Sequence, residues 1–383
     1  MKILFLTSSM EGGGAERVAA LLANGWASKG NSVVLMPTFS ARGDCVYPLD
    51  RSVKLTFLSD ICRANANRFE RLIRLRTFIK SFHPDIIVSF LPHVNIAAIL
   101  ATAGLSIPVV ACERTYPPAL QPQIPLAYRA LRRLTYPFAS SLVAQTTATA
   151  EWLRRRCSRA LVVIIPNPVI IPLPSQPPIV DPNLLIGPDR KIILWAGRLD
   201  EWKRGSLLID AFAGLAAEAS NWDIYMLGSG PLREALQQRV IELGLNDRIF
   251  LPGFAGNLGD WYNRADIYVM TSSYEGFPNT LLEAMAHGNP SIAYDVLTGP
   301  RDLCGDKQRL ILLPDSDQLA GLETALRSLT SNPQLRDEIG ATAIEVKAIY
   351  SEPAVFAMWD ELFSSVNRSS IASKAKLGAT STE

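Results

Sequence analysis

Cysteine and histidine are scarce in this 383-residue chain, and long apolar runs are missing. The five cysteines and three histidines show no C-x-x-C or mixed Cys/His spacing, so neither a zinc site nor a disulfide framework is indicated. No stretch reaches the roughly 18 apolar residues that a membrane-spanning helix needs. The short apolar run after Lys2 favours a first buried strand over a signal peptide. We therefore expect a cytoplasmic protein that binds no metal.

Positive charge is concentrated in the first part of the chain. Residues 1–170 contain 20 Lys and Arg against 9 Asp and Glu, whereas the remainder contains 18 against 27. Basic residues cluster at 68–76, 129–133 and 154–156, with apolar residues among or beside them. This pattern suits an anionic membrane surface or an anionic lipid-linked substrate, although solvated helix faces would look the same. No recognised nucleic-acid module accompanies the charge, so nucleic acid is not an expected partner.

Apolar runs alternate with helical patterns along the whole chain. Continuous apolar strands between helices indicate parallel sheets covered on both faces, the doubly wound α/β class. In the first half the predicted strands are 3–7, 32–36, 85–89, 109–112 and 142–145. In the second half they are 191–196, 223–227, 248–251, 267–270, 291–294 and 310–313.

A proline-rich segment separates the two series of strands. Proline lacks a backbone donor and fixes φ, so residues 169–188 are predicted to be a linker. We expect Rossmann-like domains at 1–168 and 189–350, with a ligand cleft at the carboxyl ends of their strands. A closing helix is predicted at 351–366. The Ser-, Lys- and Ala-rich tail at 367–383 is predicted to be disordered.

A glycine cluster, Gly12-Gly13-Gly14, follows the first predicted strand and opens a helix. Glycines there let the backbone approach a phosphate or sugar and direct N–H groups at it. The cluster is not G-x-G-x-x-G, so an oxidoreductase of the dinucleotide-binding type is not indicated. A tight strand-to-helix turn without a ligand is the alternative.

Two cations, Arg198 and Lys203, lie in the loop after the strand predicted at 191–196. They can neutralise a diphosphate both in a bound nucleotide and as it departs. Taken alone, such residues are usually surface charges. The motif that follows is what favours a ligand-binding role for this pair.

The most informative motif covers residues 272–288 and contains Glu275, Pro278 and Glu283. Pro278 suits the first position of a helix, which leaves the next N–H groups free to receive a phosphate. Those N–H groups belong to Asn279, Thr280 and Leu281. Glu283 falls about a turn and a half inside an apolar helix. A buried acid needs a partner, and either sugar hydroxyls or a nearby arginine can supply one.

These three motifs together resemble the retaining glycosyltransferases of family 4, from Gly12 to the helix near Trp359. The resemblance implies the GT-B fold, in which two Rossmann-like domains face each other across a cleft. It implies that Arg198 and Lys203 hold the donor diphosphate. It also implies that Glu275 contacts the donor sugar and that Glu283 binds the ribose hydroxyls.

The same resemblance assigns glycines and further contacts. Gly12 and Gly13 look like the loop that closes on the distal phosphate and sugar, and Gly228 and Gly230 look like the family's turn near the nucleotide. A narrower likeness, to enzymes that build polysaccharide and glycan precursors on polyprenyl diphosphate lipids, comes from three short stretches. They are Gly-Gly-Ala-Glu-Arg at 13–17, Glu113-Arg114 and Gly299-Pro300-Arg301.

Two departures from the family pattern matter for the site. Arg204 stands where a glycine is common, and the stretch at 111–115 lacks the histidine that many members place near the sugar. Glu113 is therefore the candidate catalytic residue of the first domain. Further candidates for contacting the acceptor or the sugar are Arg114, His93 and Arg301.

The implied function is transfer of a hexose from a nucleoside diphosphate sugar, preferably a UDP-sugar, to a lipid-linked saccharide. The resemblance implies retention at the anomeric carbon, no metal and no cofactor, and an enzyme peripheral to the inner face of the cytoplasmic membrane. Three alternatives stay open: a catalytically silent nucleotide-sugar-binding subunit, a nucleotide-sugar epimerase, and a phosphorylase. The sequence does not identify the sugar, the linkage or the oligomeric state.

Overall fold

The computed structural model describes residues 1–11, 13–39, 44–119, 124–316 and 318–379, with side chains up to residue 368. The chain forms two compact units, Met1–Asn167 with Val355–Glu383, and Pro168–Ala354. Each unit has a parallel β-sheet with a hydrophobic core on either face. The predicted doubly wound α/β architecture is therefore confirmed for both units.

The first unit contains a sheet of short strands, and those in its middle are almost entirely buried. The strands are β1 Lys2–Thr7, β2 Ser32–Pro37, β3 Val53–Leu55, β4 Ile86–Phe90, β5 Val109–Cys112, β6 Ser141–Ala144 and β7 Leu161–Ile164. Their order in the described residues is β3-β2-β1-β4-β5-β6-β7, and each neighbouring pair is parallel. β1 therefore lies at the point where the order reverses.

Helices connect these strands and cover both faces of the sheet. They are α1 Gly14–Ser28, α2 Arg68–Phe82, α3 Pro92–Thr102, α4 Leu126–Thr135 and α5 Thr147–Arg156. Asn67 and Thr146 cap α2 and α5 by accepting hydrogen bonds from backbone N–H groups three residues on. α3 begins with Pro92, which needs no donor at that position.

The second unit repeats the arrangement. Its strands are β8 Lys191–Ala196, β9 Trp222–Leu227, β10 Ile249–Gly253, β11 Ile267–Met270, β12 Ser291–Tyr294 and β13 Ile311–Leu313. Its helices are α6 Pro182–Leu185, α7 Gly205–Ala213, α8 Arg233–Glu242, α9 Leu258–Arg264, α10 Asn279–Ala286, α11 Pro300–Cys304, α12 Gln318–Ser331, α13 Pro333–Ala343 and α14 Val346–Ile349. The described strands are parallel in the order β10-β9-β8-β11-β12-β13.

The strand order fixes where ligands bind. In each sheet the order reverses between the unit's first strand and the strand that follows on its other side, β1 beside β4 and β8 beside β11. Loops that leave the carboxyl ends of these strands diverge to opposite faces and open a crevice between them. The loops after β8 and β11 carry the Arg198–Lys203 and Glu275 motifs.

Two strands of the first sheet, β3 and β7, are missing from the sequence prediction. β3 has three residues, of which one is buried, so it leaves almost no periodic signal. β7 is apolar but its first residue is exposed at the sheet edge, and it runs directly towards the proline-rich segment. Each of these two edge strands contains an exposed residue and only one buried residue, which weakens the apolar run that a prediction relies on.

The predicted linker, residues 169–188, groups with the second unit. The Val169 N–H donates to the Tyr350 carbonyl at 2.8 Å. The Val180 backbone exchanges hydrogen bonds with the Asn257 side chain at 3.0 and 3.1 Å. Prolines remove donors but leave carbonyl acceptors, so a proline-rich segment can still be fixed along a domain surface.

A long C-terminal helix, α15 Glu352–Ala379, returns to the first unit from Val355 onwards. It includes most of the tail predicted to be disordered, because alanine and lysine in that tail favour helix. Trp359 packs against Trp26 with a ring separation of 5.3 Å and against Phe363 at 5.7 Å. Residues 380–383 lie outside the described residues. No described helix has the length and apolar content required to cross a bilayer.

Trp359→Ala is expected to destabilise the first unit by about 3–5 kcal/mol, because it removes a large side chain from a closed core. Trp359 is 2% exposed, whereas the adjacent Met358 is 37% exposed. Met358→Ala should therefore cost no more than about 0.5 kcal/mol. Chemical unfolding of both variants measures the difference. Equal effects would show that α15 contributes little to the core.

Candidate functional site

The turn after β8 presents two cations at the carboxyl edge of the second sheet. The Asp200 carboxylate accepts hydrogen bonds from the backbone N–H groups of Trp202 and Lys203 at 3.1 and 3.2 Å. These bonds fix a short 3₁₀ turn over Glu201–Lys203. Arg198 lies 3.5 Å from Asp200 with its side chain 72% exposed, whereas the Lys203 side chain is 25% exposed. Arg198 is thus the solvent-exposed cation of the pair, and Lys203 is held in place.

Gly228 and Gly230 allow the loop after β9 to approach the turn after β8 closely. Gly228 has φ +141°, and a β-carbon on it would lie 1.8 Å from the Gly197 carbonyl oxygen. A β-carbon on Gly230 would lie 2.3 Å from the Leu199 carbonyl oxygen. The Leu199 N–H donates to the Ser229 carbonyl at 2.9 Å. These glycines therefore shape the Arg198 turn, and their predicted contact with the donor stays a prediction.

The loop after β11 brings Glu275 onto Lys203. The Lys203 Nζ donates to the Glu275 Oε1 at 2.5 Å, and the Glu275 side chain is 9% exposed. The same two loops are joined by the Thr271 hydroxyl, which donates to the Lys203 carbonyl at 2.7 Å. The Ser273 N–H donates to the Trp202 carbonyl at 2.8 Å. The pair is thus held by backbone contacts as well as by charge.

The helix that follows, α10, begins one residue later than predicted. Pro278 precedes it, and the Asn279 N–H donates to the Phe277 carbonyl at 3.0 Å in a tight turn. This bond corrects the expectation that the Asn279 N–H is available to a phosphate. Among the described residues, no backbone carbonyl accepts from the Thr280 or Leu281 N–H. Those two amides remain the phosphate-binding candidates at this positive helix end.

Glu283 lies inside α10 and is 3% exposed. The Tyr262 hydroxyl donates to its Oε2 at 3.3 Å, which supplies a partner that the sequence does not indicate. Tyr268 lies beneath the same helix, and burial, together with the charges of Glu275 and Glu283, raises the pKa of its phenol. Tyr268 therefore stays protonated at neutral pH and donates to the Ala196 carbonyl at 3.4 Å. Tyr262 therefore contacts Glu283 directly, whereas Tyr268 contacts the Tyr262 ring at a centroid distance of 5.9 Å.

In the first unit, the glycine loop is anchored by a tyrosine. The Gly13 N–H donates to the Tyr47 hydroxyl at 2.9 Å, and that hydroxyl donates back to the Gly13 carbonyl at 2.9 Å. Gly13 has φ +149°, and a β-carbon there would lie 2.5 Å from the Glu16 carboxylate. Glycine is therefore needed at this position. Gly12 lies outside the described residues.

His93 and Arg114 lie at the carboxyl edge of the first sheet. The His93 Nε2 is 3.1 Å from the Ser8 hydroxyl, and loss of water around the ring lowers the pKa of its imidazole. Arg114 is 7% exposed and donates to the Asn167 Oδ1 at 2.5 Å. Its guanidinium lies 4.2 Å from the centre of the Phe90 ring. Burial lowers the pKa of Arg114 to about 10, so it remains charged at neutral pH.

Glu113 does not occupy the position expected of a catalytic residue. Its side chain is 0% exposed, and its Oε1 accepts from the Tyr136 hydroxyl at 2.6 Å with Arg132 at 3.8 Å. Burial raises the pKa of this carboxyl. The predicted catalytic position of Glu113 is therefore wrong: its backbone N–H still pairs with the Val143 carbonyl, and its side chain is buried against Tyr136.

Arg301 is exposed beside the second sheet. Its side chain is 74% exposed and forms an ion pair with Asp295, the residue directly after β12. A contact with sugar or acceptor stays a prediction for Arg301. Three residues that support the site escape sequence reasoning: Tyr47, Tyr262 and Tyr268. They carry no local signal because their contacts come from distant segments.

Two family models match most of the chain. The model described as Glycosyltransferase Family 4 matches residues 12–171, and the model described as Glycosyl transferases group 1 matches residues 179–346. A Campylobacter jejuni relative is 28% identical over 88% of this chain and 91% of its own. It is named as a GalNAc-α-(1→4)-GalNAc-α-(1→3)-diNAcBac-PP-undecaprenol α-1,4-N-acetyl-D-galactosaminyltransferase.

Solved structures with the same fold cover nearly the whole chain. Sucrose-phosphate synthase from Thermosynechococcus elongatus is 18% identical, with a TM-score of 0.80 over 96% of this chain and 100% of that one. Anabaena HepE in complex with UDP is 19% identical, with a TM-score of 0.76 over 95% and 100%. At these identities the likeness concerns the fold alone, and it confirms the GT-B fold expected from the sequence.

Gly228→Ala is expected to disrupt the turn that presents Arg198 and Lys203, since the new methyl group meets the Gly197 carbonyl. Gly244 is a matched control, because it has φ +67° and a β-carbon there would have nothing within 4 Å. Both variants carry a backbone strain of about 1–2 kcal/mol. Only Gly228→Ala adds an overpacking cost of about 1–3 kcal/mol. Chemical unfolding and UDP titration measure the two effects, and equal losses would contradict the close approach of the loops.

Proposed function

Since the chain belongs to the glycosyltransferases of family 4 and is a hexosyltransferase with the GT-B fold, we propose that it uses a UDP-sugar and transfers with retention at the anomeric carbon. The observation that carries the donor side is the Lys203–Glu275 ion pair, 2.5 Å long, at the carboxyl edge of the second sheet. A fixed cation beside a fixed carboxylate matches a sugar diphosphate, which joins anionic phosphates to a hydroxyl-bearing ring.

Each group of the donor half has a proposed role. Arg198 and Lys203 neutralise the diphosphate, and the Thr280 and Leu281 N–H groups add donors at the α10 terminus. Glu275 accepts hydrogen bonds from the sugar hydroxyls. Glu283, which is 3% exposed, accepts from the ribose hydroxyls. Buried carboxylates held by Lys203 and Tyr262 are suited to accept such bonds because they need not be reoriented.

The proposed reaction breaks the bond from the anomeric carbon to the diphosphate and forms a bond to the acceptor oxygen. The proton of the acceptor hydroxyl passes to an oxygen of the leaving diphosphate, so no side-chain base is required. Catalysis then depends on positioning and on the charge of Arg198 and Lys203 as the diphosphate departs. Since these cations supply the positive charge, we propose that no divalent metal and no cofactor takes part.

The acceptor is proposed to be a saccharide carried on a polyprenyl diphosphate lipid. The name of the Campylobacter jejuni relative describes a saccharide on undecaprenyl diphosphate, and HepE is solved with UDP. Both agree with a UDP donor and a lipid-linked acceptor in polysaccharide or glycan biosynthesis. In the first unit, Gly12, Gly13, His93 and Arg114 are the proposed contacts to sugar or acceptor, and Arg301 is the proposed contact in the second.

The test is nucleotide release from a panel of UDP- and GDP-sugars, with and without a polyprenyl-diphosphate-linked saccharide. We expect release from one UDP-sugar that depends on the acceptor and persists in EDTA. Glu275→Ala and Lys203→Ala should each lower the rate by about 10²–10³, as loss of a positioned transition-state contact does. Product analysis by NMR should show an unchanged anomeric configuration.

Glu218→Ala is the matched control, because Glu218 is also paired with a cation, Arg327 at 2.9 Å, but its side chain is 60% exposed. It should leave the rate unchanged. Bound UDP with no release from any donor would favour a silent subunit. Conversion of the donor alone would favour an epimerase, and loss of activity in EDTA would contradict metal independence.

We also propose that the first unit attaches to the inner face of the cytoplasmic membrane through α2 and α4. Apolar side chains that are 67–76% exposed occur on and beside these helices: Phe69, Leu126, Leu134 and Phe138. Exposed Arg68 and Arg133 lie among them, and Arg68 lies 5.7 Å from the Tyr128 ring on α4. Apolar side chains flanked by arginines suit an interface of anionic lipid.

Cosedimentation with vesicles tests this surface. We expect binding to vesicles containing phosphatidylglycerol that weakens with salt, and little binding to phosphatidylcholine alone. The double variant Leu134→Ser/Phe138→Ser should lower the partition coefficient by about tenfold or more, because it removes inserted apolar area. Leu184→Ser, at a residue 84% exposed on α6 of the second unit, should have no effect. Equal binding by both variants would contradict the proposed surface.

A further inference from the structure

We propose that Arg204 is a positioning residue that holds the Lys203 turn and the Glu275 loop in the arrangement the donor requires. The inference rests on the proposed function, because it concerns the same donor site. It starts from Arg204, the residue directly after Lys203.

The backbone of Arg204 is in the left-handed region. Its φ is 46° and its ψ is 45°, directly between the 3₁₀ turn Glu201–Lys203 and the start of α7. This conformation favours glycine, since a β-carbon there is crowded by the backbone. An arginine that tolerates this cost must make contacts elsewhere that offset it.

The guanidinium of Arg204 makes those contacts with all three of its nitrogens. The Nε donates to the Thr271 carbonyl at 2.7 Å, and the Nη2 donates to the Ser272 carbonyl at 3.0 Å. The Nη1 donates to the Asp315 carboxylate at 2.8 Å. The group also lies 4.8 Å from the centre of the Tyr294 ring. With the side chain 15% exposed, the guanidinium is used inside the protein rather than offered to a phosphate.

These contacts connect the ends of three strands to the turn after β8. Thr271 and Ser272 directly follow β11, Tyr294 ends β12, and Asp315 follows β13. The backbone of Arg204 is covalently joined to Lys203, and the Thr271–Ser272 segment leads to Glu275. Arg204 therefore fixes both partners of the Lys203–Glu275 pair from one point.

Lysine cannot replace the arginine in this role. A guanidinium presents planar, divergent donors that reach two carbonyls and a carboxylate together, whereas an ammonium is a single point charge. Glycine would relieve the backbone strain but would remove every contact. Arg204→Gly thus tests the side chain's contacts without adding backbone strain. Arg204→Lys keeps the positive charge and tests whether the planar geometry of the guanidinium is needed.

The experiment measures transfer kinetics and hydrogen exchange for Arg204→Gly, Arg204→Lys and Asp315→Asn. For Arg204→Gly and Arg204→Lys we expect kcat to fall by about tenfold or more, while the KM for the donor changes by less than about threefold, as misplaced catalytic groups do. Asp315→Asn should give a smaller fall in kcat. The Arg204→Gly/Asp315→Asn double variant should be no slower than Arg204→Gly, because both act through one contact.

Asp210→Asn is the matched control, since Asp210 also pairs with an arginine, Arg239 at 2.8 Å, outside this site. It should leave kcat unchanged. Unchanged kcat in Arg204→Gly, with an active wild type, would overturn the inference. So would a steep, salt-dependent loss of UDP affinity in Arg204→Gly with no effect of Asp315→Asn, which indicates direct phosphate contact.

Hydrogen exchange of the free protein separates this inference from the proposed function. Amides of residues 271–276 should exchange faster in Arg204→Gly than in wild type, whether or not the enzyme transfers sugar. Unchanged exchange there would overturn the positioning role. An inactive wild type with faster exchange in the variant would count against the proposed function alone.

Discussion

The candidate donor site depends on the contact between the loops that leave β8 and β11. Lys203 and Glu275 are 72 positions apart in the chain, yet they meet because the strand order reverses between β8 and its neighbour β11. A parallel sheet brings loops to one edge, and the reversal opens a space between two of them. The glycines at 228 and 230 then let a third loop support the turn at distances that any β-carbon would prevent.

Much of the fold is predictable because the buried strands of a parallel sheet have a clear pattern of apolar residues. Each central strand is buried on both faces, so β1, β4, β5 and β8 appear as predominantly apolar runs. The strands β3 and β7 are not predictable in this way, because each contains an exposed residue and only one buried residue. The sequence also does not predict that residues 169–188 group with the second unit. Proline content indicates that the backbone is restrained, but not which donors its carbonyl groups bind.

Some residues of the candidate site can likewise be predicted from the sequence, and others cannot. Arg198, Lys203 and Glu275 can be found from the sequence because their loops follow strands directly, and Glu283 can be found from its spacing to Glu275. Glu113 shows the limit of that reasoning. It too follows a strand, but side chains alternate across a sheet, and its backbone continues the ladder for one more residue. Glu113 therefore turns into the core towards Tyr136, whereas Arg114 lies at the sheet edge. Spacing identifies the strand end but not the side.

The Lys203–Glu275 pair need not break when a donor binds. An ammonium has three donors, and one of them is directed at Glu275. In the proposed complex the other two donate to phosphate oxygens, so that Lys203 connects the Glu275 carboxylate to the diphosphate. The second carboxylate oxygen of Glu275 stays available to hydroxyl groups. An ion pair ordinarily leaves the carboxylate and the ammonium less able to bind a ligand. Lys203 keeps two further N–H donors, so in the proposed complex it binds the phosphates while Glu275 binds the sugar. The guanidinium of Arg204 is not directed at the phosphates. It holds in place the two loops that carry Lys203 and Glu275.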